Sequence, residues 1–168
     1  SNDEVVEEVL INLEKSFKLP FCLSNNHFAA LSGHQAIMTT SGHIAALAAN
    51  LNKMANDIRL LGSGPRCGFG ELILPVNEPG SSIMPGKVNP TQCEAMTMVC
   101  LQVQANHQLV LSASSSGQLE LNTYRPVIIY NVLQSIDLLT TACQSFKTLL
   151  LEGLMINNTQ VELNLERS

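Results

Sequence analysis

The chain has 168 residues, 45 % of them hydrophobic, and a net charge of −5, so it is long enough to bury a core and too apolar for a disordered chain. It has no basic cluster and no uninterrupted apolar run of about 18 residues, which argues against a nucleic-acid partner and against a membrane span. Aromatic residues make up 4 % with no Trp, while Ala, Leu and Ser abound; long close-packed helices suit that composition better than a β-sandwich, because strands favour β-branched and aromatic side chains.

Residues Glu4 to Lys18 read as an amphipathic helix with Val5, Val6, Val9, Leu10, Leu13 and Phe17 on one face. Asp3 is its expected cap and Pro20 ends it. Asn25 or Asn26 caps the next helix, which the pattern extends from about His27 to Leu61, some 35 residues or about 52 Å. It is continuous or broken at Ser41-Gly42. Small residues surround it on all sides, Ala29, Ala36, Ser41, Gly42, Ala45, Ala48 and Ala49 among them. Such a helix can be approached closely from several directions, so it is expected at the centre of a bundle, with other subunits around it.

Gly62 is the expected C-cap of that helix. Asn56, Asp57 and Arg59 are polar within an apolar run and read as a salt-bridged anchor between helices in preference to substrate contacts. The run Gly62 to Gly70 lacks the Gly-Lys-Ser/Thr ending of a phosphate loop, and residues 71–78 form an extended connector bounded by proline. A third helix is expected from Pro90 to about Ser112, capped by Asn89, with Gln92 completing a capping box and Ala95, Val99, Val103 and Leu109 on its apolar stripe. After a small polar stretch, the last long helix is expected from Pro126 to about Glu152. Its core face is Ile128, Ile129, Val132, Leu133, Ile136, Leu139, Ala142, Cys143 and Phe146. The fold class is all-α, a long-helix bundle. Too many of its faces are apolar for a self-contained monomer, which implies association or further protein.

Five scattered cysteines without a C-x-x-C pair, Cys22, Cys67, Cys93, Cys100 and Cys143, fit a reducing compartment and argue against a disulfide framework or a zinc site. The chemistry concentrates in residues 80–94. Ser81 and Ser82 offer hydroxyls on a loop bounded by Gly80 and Gly86, Lys87 offers a fixed cation, and Asn89 offers an amide where a helix begins. Free N–H groups and the positive end of that helix suit an anion. Glu94, one turn inside, can face the same place and orient a histidine from elsewhere. Such a site would bind a carboxylate and stabilise the extra charge that forms when a proton leaves the adjacent carbon. A capped helix after a tight loop, with Lys87 solvated, explains the same spacing. Serine–lysine nucleophile chemistry does not, since the S-x-x-K interval is absent.

The run Gly80-Ser81-Ser82-Ile83-Met84-Pro85-Gly86-Lys87-Val88-Asn89-Pro90 resembles the GSSxMPxKxN signature of the fumarase/aspartase superfamily. Leu61 to Gly68, Pro85 to Ala95, and Glu120-Leu121-Asn122 with Arg125-Pro126 are similar to class II fumarase in particular. Gly86 and Thr91-Gln92-Cys93-Glu94 speak against the alternative, an aspartase-type ammonia-lyase. A third reading, from another class, is a purely structural helical oligomerisation module.

The resemblance implies reversible hydration of fumarate to malate with no metal or organic cofactor. It makes Ser81 the catalytic base, Ser82, Lys87, Val88 and Asn89 the substrate-binding positions, and Glu94 the partner of an active-site histidine. That histidine sits in an H-T-x-x-Q-D-like motif, which these 168 residues do not contain. His27, His34, His43 and His107 stand in other contexts and read as packed or solvated. The resemblance also implies a homotetramer whose active sites each draw on three subunits, in the cytoplasm or, in a eukaryote, the mitochondrial matrix. On this reading residues 1–152 are the later part of a central helical domain, with the loop at 80–90. Residues 153–168 begin a small further domain, and the whole is a piece of a longer enzyme that is inactive alone.

Overall fold

The computed structural model describes every residue except Ser1, Pro79, Ser81, Ser82 and Pro85, and of Asn2 the backbone alone. Six helices account for most of it: α1 (Asn2–Phe17), α2 (His27–Ser32), α3 (Gln35–Leu61), α4 (Thr91–Ser114), α5 (Arg125–Leu149) and α6 (Asn158–Glu166). Two short strands, β1 (Leu72–Ile73) and β2 (Met155–Ile156), pair antiparallel with Leu72 opposite Ile156, and a 3-10 turn at Leu151–Gly153 leads into the second. The expected all-α bundle is therefore present, as α3, α4 and α5 packed side by side.

Within the single chain the middle helix is α4. It packs extensively on both α3 and α5, which barely touch one another. The reason lies in which side chains are buried. Along α4 these are Cys93, Met96, Cys100, Val103, Asn106, Val110 and Ala113, a stripe broad enough to serve two neighbours. Along α3 they are only Ser41, Ala48 and Ala55, seven residues apart, a single seam of small side chains against which α4 lies closely. Ala46 and Ala49 on other faces of α3 are exposed.

The core divides into two clusters. One joins Ala48 and Ala55 to Cys93, Met96, Cys100 and Val103 and to Leu139, Phe146 and Leu150; the other joins Val110 and Ala113 to Ile128 and Val132. Burial of a side chain such as Met96 or Ile128 contributes about 1.5–3 kcal/mol each. Of the expected core face of α5, Ile129, Leu133, Ile136 and Cys143 are exposed, as are Ala95 and Leu109 of α4. Those positions lie beside the contact stripe, where a one-face count of apolar residues cannot separate contact from flank. By length and composition residues 125–153 are apolar enough to cross a membrane, but Asn131 and Ser135 are buried in this stretch against α4.

The long second helix is broken, at Gly33-His34 and not at Ser41-Gly42. Asn26 caps α2 by accepting from the Ala29 N–H at 3.1 Å. The chain then leaves the helix at Gly33, in extended conformation, where a Cβ would lie 2.8 Å from the Ala29 carbonyl oxygen. The Leu31 carbonyl is captured from across the molecule by the Asn122 N–H at 3.1 Å and by Arg125 at 2.7 Å. Helical continuation loses to those two bonds. At Ser41-Gly42 the helix runs on, because Ser41 Oγ and His107 Nδ1 share a hydrogen bond of 3.0 Å and Gly42 faces the same imidazole.

Other boundaries shift by a residue or two. Asp3 lies inside the first turn of α1 and so is not its cap, although its charge suits that end of the helix. Lys18 closes α1 in a left-handed conformation (φ 54°), its N–H on the Glu14 carbonyl. Helix α4 continues to Ser114, and α5 stops at Leu149, three residues short of Glu152. Among the described residues α1 has no extensive interface with another element; Val5 is 61 % exposed and Phe17 62 %.

Candidate functional site

The chain reverses twice, so the C-terminal ends of α3 and α5 meet the N-terminal end of α4. After Gly62 caps α3, its N–H on the Ile58 carbonyl, the chain folds into a compact turn. Ser63 Oγ donates to the Leu60 carbonyl at 2.5 Å and accepts from the Phe69 N–H, and the Glu71 N–H returns to the Leu61 carbonyl. Glycine is required within it: at Gly68 (φ 135°) a Cβ would meet Ser63 at 2.5 Å. The end of α5 is closed by Asn77 Nδ2, which donates to the Leu149 carbonyl at 2.7 Å. Carbonyls at both C-terminal helix ends are thus satisfied by the chain itself.

The tail secures the same end. Asn157 Nδ2 donates to the Gly70 carbonyl at 3.0 Å, its N–H to the Glu71 carbonyl, and Asn164 Nδ2 to Glu71 Oε1 at 2.9 Å.

Between β1 and α4 lies the loop of interest. Its closing turn has the Lys87 N–H on the Met84 carbonyl at 3.2 Å and Gly86 at φ 83°, a conformation glycine takes without penalty. The two arms cross at Gly80, where a Cβ would overlap the Lys87 carbonyl oxygen. Lys87 and Val88 are exposed, and Asn89 and Glu94 are half-buried. Ser81 and Ser82 lie outside the described residues.

Asn89 does not cap α4, as its spacing suggested. Its Nδ2 donates to the Gly80 carbonyl at 2.9 Å, tying the two arms of the loop together. Gln92 does not complete a capping box either; its Oε1 accepts from Ser145 Oγ of α5 at 2.8 Å. The helix start is set instead by Pro90, whose carbonyl receives the Glu94 N–H at 3.0 Å. The N–H groups of Thr91, Gln92 and Cys93 lie ahead of that first bond, and the positive end of the helix dipole lies with them.

Glu94 Oε1 accepts from an Arg59 guanidinium nitrogen at 3.1 Å, an ion pair joining the last turn of α3 to the first turn of α4. Both side chains are about half exposed, so the pair contributes only about 0–1 kcal/mol to stability. The anchor expected of Asn56, Asp57 and Arg59 is thus real for Arg59 alone. Asp57 pairs with Lys53 within α3, and Asn56 donates to the Asn52 carbonyl. Cys93, beside Glu94, is fully buried; burial pushes its thiol up, outweighing the downward pull of Arg59, and Glu94 adds to the rise.

The first turn of α4 is therefore fixed from two sides, by Ser145 on α5 and Arg59 on α3, and Asn89 just before it ties the two arms of the loop together. The loop, the Lys87 cation and the dipole end share one corner of the bundle. Ser145 carries no signal in the sequence, because its role exists only through the packing of α5 on α4. The histidines do not join this corner through any contact with Glu94. His107 bonds Ser41 in mid-bundle, His34 stands at the α2–α3 break, and His27 and His43 are exposed. Among the described residues no group of three His, Cys, Asp or Glu side chains is placed to hold a metal ion.

Known proteins resemble this chain in sequence and in fold. A family model described as lyase matches residues 1–105. The class II fumarate hydratase of Thermosynechococcus vestitus is 57 % identical over 162 residues, 96 % of this chain and 35 % of the relative. That of Chlamydia pneumoniae is 51 % identical over 163 residues, 97 % of this chain and 35 % of the relative. A crystal structure of class II fumarase from Schistosoma mansoni superposes with a TM-score of 0.89 at 42 % identity, over 93 % of this chain and 36 % of that one. The chain spans about a third of the length of the curated relatives it matches.

Proposed function

We propose that this chain, which belongs to the lyase family, supplies the proton-abstracting and carboxylate-binding loop of a fumarate hydratase. The observation that carries the reading is the full signature at 80–90 set directly before the N-terminus of α4, in a chain 57 % identical to a relative named for that activity.

In the direction of dehydration, Ser81 takes a proton from the carbon beside one carboxylate of malate. The electron pair left behind spreads into that carboxylate as an aci-carboxylate. On this reading Lys87, Asn89, Ser82 and the leading N–H groups of α4 bind that carboxylate and stabilise the charge as it grows. The adjacent carbon then loses its hydroxyl with a proton, as water, and fumarate forms. Hydration runs the same steps backwards. Serine is a weak base at its ordinary pKa, so the cation and helix end that hold the carboxylate also have to favour its alkoxide. Val88, between Lys87 and Asn89, is the remaining substrate-binding position of the signature. Glu94 orients a histidine brought by another segment, and several copies of the chain share each site.

The test follows fumarate by its ultraviolet absorbance in the full-length protein. Ser81→Ala is expected to lower kcat by about 10²–10⁴-fold, the usual worth of a positioned base. The 168-residue chain by itself is expected to be inactive, because the histidine motif is not in its sequence. Fumarate consumption by Ser81→Ala at the wild-type rate would overturn the reading.

A further inference from the structure

We infer that Arg59 is a positioning residue for Glu94, and that the last turn of α3 thereby aligns the acidic partner of the catalytic histidine. This rests on the role given to Glu94 above. Arg59 reaches Glu94 through one guanidinium nitrogen, at 3.1 Å, across the junction of two helices 35 residues apart in sequence. Stability gives little reason for a cation there, since both groups are about half exposed. Orientation gives a better one. A glutamate on the first turn of a helix has three rotatable bonds, and unrestrained it samples several rotamers. Fixing Oε1 on Arg59 selects one of them, and a carboxylate retains further lone pairs for an imidazole N–H.

The surroundings make the restraint effective. Arg59 projects from α3 three residues before its Gly62 cap, and the compact 62–71 turn beyond it is held by Ser63, Asn157 and Asn164. Glu94 follows Cys93, fully buried between α3 and α5, and Gln92, held by Ser145. Both ends of the ion pair are therefore mounted on backbone that packing has already fixed. Neighbouring Asp57 does not compete for the guanidinium, being paired with Lys53.

The experiment is a double-mutant cycle in the full-length protein, read by steady-state hydration of fumarate and by thermal unfolding. Arg59→Gln is expected to lower kcat by about tenfold to a hundredfold with KM within about twofold. In an E94Q background the same change is expected to cost less than about twofold, because the group it orients is gone. Arg59→Lys restores most of the rate, since a single-nitrogen contact needs the charge and not the planar fork. It also keeps the test meaningful if Arg59→Gln folds poorly.

Wild-type kcat in a folded Arg59→Gln protein overturns the inference, as does an equal loss in both backgrounds, which would place Arg59's effect elsewhere. A loss of melting temperature without a loss of kcat makes the pair a simple anchor and also overturns it. The underlying reading fails separately and visibly: E94Q would then hydrate fumarate as fast as wild type.

Discussion

The two ends of α4 use polar side chains in opposite ways. At its N-terminus, Asn89, Gln92 and Glu94 are partly exposed, and each makes one bond to a different neighbour: the loop, α5 and α3. In its middle, by contrast, Asn106 is buried and its amide is engaged at both ends. Asn106 Nδ2 meets Gln134 Oε1 at 2.9 Å and Ser135 Oγ at 3.1 Å, and its Oδ1 accepts from Gln102. Beyond the helix, buried Asn122 donates to the Ala113 and Ser114 carbonyls and accepts from the Tyr124 N–H. A buried amide with its partners satisfied fixes register, because any slip leaves it unpaired at a cost of about 1–3 kcal/mol. Half-exposed residues with single restraints can hold an orientation while still offering lone pairs and charge to a substrate.

If that contrast holds, changes at the two ends should separate activity from stability. The largest effect is expected from Lys87→Met in the full-length protein, a loss of about 10²–10³ in kcat/KM, as for removal of one group that stabilises developing charge. The side chain is exposed, so the unfolding midpoint should stay where it is. A midpoint that falls with the activity would break the comparison. Next is Asn106→Leu, which removes the bonds to Gln134 Oε1, Ser135 Oγ and Gln102 Nε2 and should cost about 1–3 kcal/mol in denaturant unfolding. The folded protein should keep its KM. Ser145→Ala, which frees Gln92, sits between the two cases and should cost about 0.5–1.5 kcal/mol with a modest fall in kcat.

The smallest and most local effect concerns thiols. Cys93 and Cys100 are buried with pKa values raised chiefly by desolvation, so at pH 8 their thiolate fraction lies below that of an ordinary cysteine. Alkylation of the native protein should consume Cys22, Cys67 and Cys143 first. Equal rates at all five would mean that the first turn of α4 opens readily.

Much of this was legible in the sequence, for reasons that are local. Asn26 caps a helix because a short side chain three residues before an N–H does so in many contexts, and Gly62 ends one because the chain must turn there. The chemistry of residues 80–94 was legible because hydroxyls, a cation and a helix start lie within one short stretch. The bond of Asn89 to the Gly80 carbonyl was not legible, because it forms only when the two arms of the loop come together. The flanks of α5 cannot be told from its core in the sequence, because Ile129 and Leu133 share the apolar character of Ile128 and Val132, and only the position of α4 separates them.

By itself, then, the sequence determined the helical class, the signature loop and the family resemblance, since composition, period and a contiguous motif are properties of neighbouring residues. Tertiary structure alone decided three things. It broke the long helix at Gly33-His34, where Asn122 and Arg125 claim the Leu31 carbonyl. It put α4 in the middle, because α4 carries a buried stripe for two neighbours. And it brought Arg59 to Glu94, since two residues 35 apart meet only when the helices bearing them have packed.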